Sequence, residues 1–86
     1  MDFSDLTLIF FVRERQFNIS KLTEYYSSVN ARKVIYDSSK KPISNESIGE
    51  LKSRDVEYVW VGPVPFLVVK NLAFSDVKTE YVMDCP

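Results

Sequence analysis

The chain is predicted to fold as one α/β domain, a parallel sheet of four strands in the order 3-2-1-4 with helices on both faces. Two observations carry this. Four short segments rich in β-branched and aromatic residues alternate with three segments whose apolar residues recur at helical spacing, giving β-α-β-α-β-α-β. Such alternation favours parallel strands joined by right-handed crossovers. In addition, the first strand segment, Leu6 to Val12, is almost continuously apolar. That suits a strand covered on both faces, and places it inside the sheet rather than at its edge.

The elements follow in order. Arg13 to Gln16 is polar and ends the first strand; Asn18 is positioned to cap a helix with Ile19, Leu22, Tyr26 and Val29 on one face. Ala31 to Tyr36 is the second strand, ending in Asp37-Ser38-Ser39, and Lys40 to Pro42 is a turn. Ser44 is positioned to cap a second helix with Ile48 and Leu51 on one face, although Gly49 weakens it. Val56 to Val61 is the third strand. Gly62-Pro63-Val64-Pro65 stops it, because neither proline can donate to a ladder, and Pro65 suits the first turn of a third helix. In that helix Phe66, Val69, Ala73 and Val77 share a face, and Tyr81 to Asp84 is the fourth strand.

At 86 residues the chain is one domain at most, residues 1–86. A chain of this size buries only about 60–65% of its unfolded surface. It is 45% hydrophobic and 14% aromatic, which excludes disorder by composition. Eleven basic residues are scattered along a chain of net charge −1, unlike the concentrated basic stripe of a nucleic-acid footprint. There is no histidine, so His-based triads, His-liganded zinc and a His general base are excluded. One cysteine, Cys85, excludes a disulfide within the chain. The apolar run Leu8 to Val12 is too short to span a bilayer, and Asp2 and Asp5 precede it where a secretory signal would be basic. No membrane segment or export signal is therefore expected.

An open α/β sheet presents its ligand-binding loops at the carboxyl ends of its strands. Polar clusters fall there: Arg13-Glu14-Arg15 after the first strand, Asp37-Ser38-Ser39 after the second, and Asp84 after the fourth. Asp37 has two readings. It can accept hydrogen bonds from a ribose or base, as an acid so placed does in doubly wound nucleotide folds, or it can close an Asx turn. Arg13 and Arg15 either face a diphosphate, which guanidinium forks fit well, or sit on a solvated loop. Lys70-Asn71 lies early in the third helix, where a cation can reach an anionic ligand or simply be exposed. Trp60 is a packing residue or a platform for a base, and Cys85 is a packing residue. No GxGxxG, GxxxxGK[ST], CxxC pair or HExxH is present.

Taken together, LTLIFFVRER, IYDSS and VKNLAFSDVKTEYVM resemble the opening of a GT-A glycosyltransferase domain of the family-2 type, closest to the β-1,4-N-acetylgalactosaminyltransferases. The likeness spans nearly the whole chain but only the amino-terminal half of that family's catalytic domain, and is most specific over Lys70 to Val82. It implies a Rossmann-like sheet that forms half of a GT-A domain. It implies a nucleotide site in which Arg15 stands at the arginine of the first loop, Asp37 at the acid that contacts the nucleoside, and Lys70-Asn71 at the family's Arg-Asn. The implied partners are a UDP-linked sugar and a glycan acceptor. The implied cofactor is a divalent metal, Mn or Mg, held by an Asp-x-Asp motif. Three departures stand out: Phe11-Val12 replaces Pro-Thr or Pro-Cys, Lys70 replaces arginine and so offers a point charge instead of a fork, and the sequence reaches Pro86 where the Asp-x-Asp would begin. Asp84 lies two positions short of that motif and does not match it.

The resemblance therefore implies the nucleotide-sugar-binding half of an inverting glycosyltransferase that moves a sugar, N-acetylgalactosamine in its closest relatives, from UDP to an acceptor hydroxyl. Transfer needs a stabilised leaving diphosphate and a base for the acceptor. Both belong to segments this chain lacks, so no catalytic residue is assigned and no transfer is expected. The alternative is a small non-enzymatic α/β module that binds another protein. A flavodoxin-like or receiver-like domain fits less well, since Arg13-Glu14-Arg15 is neither an acidic cluster nor a phosphate loop.

Overall fold

Strands β1 (Leu6–Val12), β2 (Arg32–Asp37) and β3 (Val56–Trp60) lie parallel in the computed structural model, with β2 between the other two. Residues 6–14, 16–77 and 81–85 are described, without the side chains of Phe17 and residues 81–85. Three helices connect and flank the strands: α1 (Ile19–Tyr25), α2 (Asn45–Ser53) and α3 (Phe66–Ser75). The backbone of a further strand, β4 (Tyr81–Cys85), pairs parallel to the free side of β1, so the sheet reads β3-β2-β1-β4. The small α/β architecture with a parallel sheet is the one the alternation of periods predicts.

Side chains of a strand alternate between faces, and here each face has its own core. Leu8, Phe10 and Val12 of β1 and Ile35 of β2 meet Ile19 of α1, Leu51 of α2 and Val56. Ile9, Val34 and Tyr36 turn the other way and meet Val69 and Ala73 of α3. Helices α1 and α2 thus cover one face and α3 the other. Phe10, 1% exposed, packs edge-on against Tyr26 at 5.3 Å between ring centroids. Burying such a ring contributes about 1.5–3 kcal/mol.

The ends of α1 depart from the sequence expectation, whereas the start of α2 agrees with it. Ser44 caps α2 as expected, its Oγ accepting from the Ser47 amide at 3.2 Å. Asn18 does not cap α1. It is already helical in φ and ψ, makes no side-chain cap bond, and closes a 3-10 turn, Gln16–Asn18, that leads into the helix. The cause is Gln16, whose amide is drawn back to Asp37 and Lys41 and starts the turn early. Helix α1 also ends at Tyr25, so Tyr26 and Val29, both packed on the core, belong to the turn that follows. In α3 the expected inner face holds for Val69 and Ala73, whereas Phe66 is 53% exposed.

Candidate functional site

Asp37 ends β2 and is fully buried, at 0% exposure. Its carboxylate is enclosed by donors. Tyr58 Oη donates to Oδ2 at 2.6 Å, Gln16 Nε2 to the same oxygen at 2.7 Å, and the Ser39 amide to Oδ1 at 2.9 Å. The last bond is the Asx turn, and it fixes the chain direction after β2. Burial, together with the bond to Asp37, pushes the Tyr58 phenol far above the ordinary tyrosine range. The Ile43 amide in turn donates to Tyr58 Oη at 3.1 Å.

This network extends into a clamp between the loops that follow β1 and β2. The Glu14 amide donates to Ser39 Oγ at 2.7 Å, and the Lys40 amide donates to Glu14 Oε1 at 2.8 Å. The Ser38 amide donates to the Val12 carbonyl at 2.9 Å, and Trp60 Nε1 donates to the Ser39 carbonyl at 2.9 Å. Glu14 takes a left-handed backbone, φ 57°, which costs a non-glycine residue about 1–2 kcal/mol and needs support. The two bonds to the second loop supply it. Nothing local in the sequence marks Gln16, Glu14 and Ser39 as partners, because each pair is separated by more than twenty positions.

The clamp holds Arg13 at the end of β1, on the rim of two hollows. One, of about 560 Å³, lies on the α1 side and is lined by Phe11, Val12, Arg13, Asn18, Lys21, Leu22 and Tyr25. The four α1-side residues recur at helical spacing and present one face. Among the described residues the lining holds two cations and no acid. Among the described residues neither Arg13 nor Lys21 forms an ion pair, and the neighbouring Glu14 carboxylate is committed to Lys40. The second hollow, on the α3 side, is about 110 Å³ and is lined by Phe11, Val12, Arg13, Ser38, Phe66 and Val69. A third, of about 210 Å³ between α1 and α2, contains Arg54 and Glu50, which pair with each other at 2.9 Å.

Of the residues expected to form a nucleotide site, Asp37 and Lys70-Asn71 belong to opposite sides of the sheet. Asp37 faces the α1 and α2 side with Tyr58 and Gln16, and its acceptor capacity is used within the chain. Lys70 and Asn71 sit on α3, across the sheet. The Lys70 ammonium lies 5.7 Å from the Phe74 ring centroid, a cation–π contact along its own helix. Arg15 lies outside the described residues, as do the side chains of Asp84 and Cys85. Trp60 is fixed by its bond to Ser39. Lys21 and Tyr25, which the sequence reading did not single out, and Asn18, read there only as a cap, line the larger hollow instead; the helical spacing of the three was the available signal.

Among the described residues no group of three or more His, Cys, Asp or Glu could hold a metal ion. Likewise, none of their helices is long and apolar enough to cross a membrane. No family model, curated protein or solved structure matches the chain.

Proposed function

We propose that this chain is a nucleotide-sugar-binding module, the amino-terminal half of a Rossmann-like GT-A glycosyltransferase domain that takes a UDP-linked sugar. The observation that carries the reading is the hollow of about 560 Å³ at the carboxyl end of β1, lined among the described residues by two cations and no acid. Its position supports the reading further. The chain runs from β1 outward through β2 to β3 and returns to the far side of β1 as β4. Open α/β sheets bind ligands in the crevice outside the carboxyl ends of the strands where the order reverses in this way. The volume suits a ligand of nucleotide size, within the roughly 300–1,000 Å³ usual for such sites.

In this reading Asp37 is the support of the site. It fixes the loop after β2, and through Ser39 and Glu14 the loop that carries Arg13. The role proposed for these residues is binding of the nucleotide sugar. Titration calorimetry with UDP tests it. The expected result is weak binding that is insensitive to added manganese and stronger than that of uridine. Absence of UDP binding overturns the proposal.

The alternative of a protein-binding module draws on α3. Phe66, Leu67, Val68 and Leu72 are exposed there, Leu67 at 68%, and contiguous apolar surface of this kind often marks an interaction site. Under that alternative UDP does not bind, and replacing Leu67 and Leu72 by polar residues changes the association state without affecting the fold.

A further inference from the structure

Resting on the nucleotide reading, we propose that the diphosphate is held on the α1 side of β1, between Arg13 and Lys21, with the exposed ring of Tyr25 available to the base, and that Lys70 takes no part. The sequence offered Arg13 and Arg15 for a diphosphate and, by resemblance, Lys70-Asn71 beside the nucleotide; helix α3, which carries Lys70, packs on the face of the sheet opposite α1.

Three features select the α1 side. The first is charge. Arg13 offers a planar fork that matches phosphate oxygens, and Lys21 a compact point charge, a pairing suited to two linked phosphates. Among the described residues the lining of the hollow contains no carboxylate to oppose them, and the neighbouring Glu14 is tied to the Lys40 amide. The second is room. The α3-side hollow is about 110 Å³ and is walled mainly by Phe11, Val12, Phe66 and Val69, which cannot solvate an anion. The third is the helix face. Tyr25 follows Lys21 by four positions, so the two share a face of α1, and both line the hollow. It is 78% exposed and packs edge-on against Tyr26, with centroids 5.0 Å apart and planes at 74°. That contact leaves the ring in reach of a planar ligand. Lys70 is drawn over Phe74 on the far face.

The test is titration of UDP, uridine and inorganic pyrophosphate into the wild-type chain and the variants Arg13→Ala, Lys21→Ala and Lys70→Ala, read by amide chemical shifts. All three side chains are exposed or half-buried, and thermal melts check each fold. In the wild type, UDP and pyrophosphate should move amides of residues 11–14 and 18–25, an assignment that needs no variant. Each of Arg13→Ala and Lys21→Ala should weaken both ligands by about tenfold, the loss of one charge-assisted contact, and added salt should weaken both as well. Lys70→Ala should leave them unchanged. UDP binding that survives Arg13→Ala and Lys21→Ala but is lost in Lys70→Ala overturns the inference and leaves the nucleotide reading intact. Uridine binding as tightly as UDP also overturns the phosphate grip alone. Pyrophosphate held by Arg13 and Lys21 with no gain from the nucleoside keeps the cationic site and ends the nucleotide reading. Binding of none of the three ends both.

Discussion

Replacing Asp37 by alanine should destabilise the protein by about 2–5 kcal/mol. The figure comes from what the carboxylate satisfies. Asp37 is fully buried and accepts from Tyr58 Oη, Gln16 Nε2 and the Ser39 amide at 2.6, 2.7 and 2.9 Å. Gln16 keeps a second acceptor, the Lys41 carbonyl at 2.6 Å. The Ser39 amide and the Tyr58 hydroxyl would be left without acceptors, and an orphaned buried donor costs about 1–3 kcal/mol. Two of them account for the estimate. A chain of this length has about 4–13 kcal/mol of stability in all, so the variant sits near the edge of folding. Asp37→Asn preserves the shape and the Ser39 bond but sets an amide donor against Gln16 and Tyr58, and should lose about half as much. Urea unfolding followed by the emission of Trp60, the sole tryptophan and itself bonded to Ser39, measures both. If Asp37→Ala unfolds within about 0.5 kcal/mol of the wild type, as an ordinary surface substitution would, the network is not what holds the two loops. The same reasoning separates fold from ligand: a failure of Asp37→Ala to bind UDP would report lost loop geometry before it reported a lost contact.

Alkali and the two glycines give further checks. Burial is the main cause that raises the phenols of Tyr36 and Tyr58, helped by the carboxylates of Asp76 and Asp37 respectively. A group whose folded pKa is raised keeps its proton in the folded state after the unfolded chain has released it. Its stabilisation is whole below about pH 10, the unfolded value, and fades as pH climbs from there towards the folded value. Stability should therefore fall as pH rises above about 10, with a slope for Tyr58 that approaches about 1.4 kcal/mol per pH unit at most, and Tyr58→Phe should make the decline shallower; urea midpoints and phenolate absorbance follow it. The glycines should respond to alanine with opposite signs. Gly62 has φ +79° and its added Cβ would meet Trp60 only at 3.9 Å, so the cost, about 1 kcal/mol, is conformational and not steric. Gly49 lies inside α2 with nothing within 4 Å of an added Cβ, so Gly49→Ala should stabilise by about 0.5–1 kcal/mol.

What could be read beforehand was what depends on neighbours along the chain. The almost continuous apolar run Leu6 to Val12 announces a strand covered on both faces. Pro63 and Pro65 end β3 and open α3, and Ser44 caps α2. Each is settled within a few residues. The site was harder because its parts meet only after folding. Asp37 reads as a free acid at a strand end, yet its carboxylate is enclosed by Gln16 and Tyr58, each 21 positions away. Asn18 has the chemistry of a cap, but Gln16 is drawn to Asp37 and starts the turn before it. Lys70 matches the family's Arg-Asn by position along the chain, but α3 packs on the face of the sheet opposite α1 and α2. Lys21 and Tyr25 carry no motif; they matter only because α1 lies beside the end of β1.

The pairing of β1 has a consequence for how the chain is made. Its two neighbours arrive at very different times. Thr7 lies opposite Arg32, but Leu6 lies opposite Tyr81, with nearly the whole chain between them. A ribosome adding about 5–20 residues per second delivers β2 soon after β1 and β4 only several seconds later. Until then the most apolar strand of the sheet has one bare edge, the kind of surface to which other nascent chains adhere. Parallel pairings of such long separation are also intrinsically slow to form. Yield in cells should therefore depend on translation speed and on chaperones that shield extended apolar segments, more than on the stability of the finished domain.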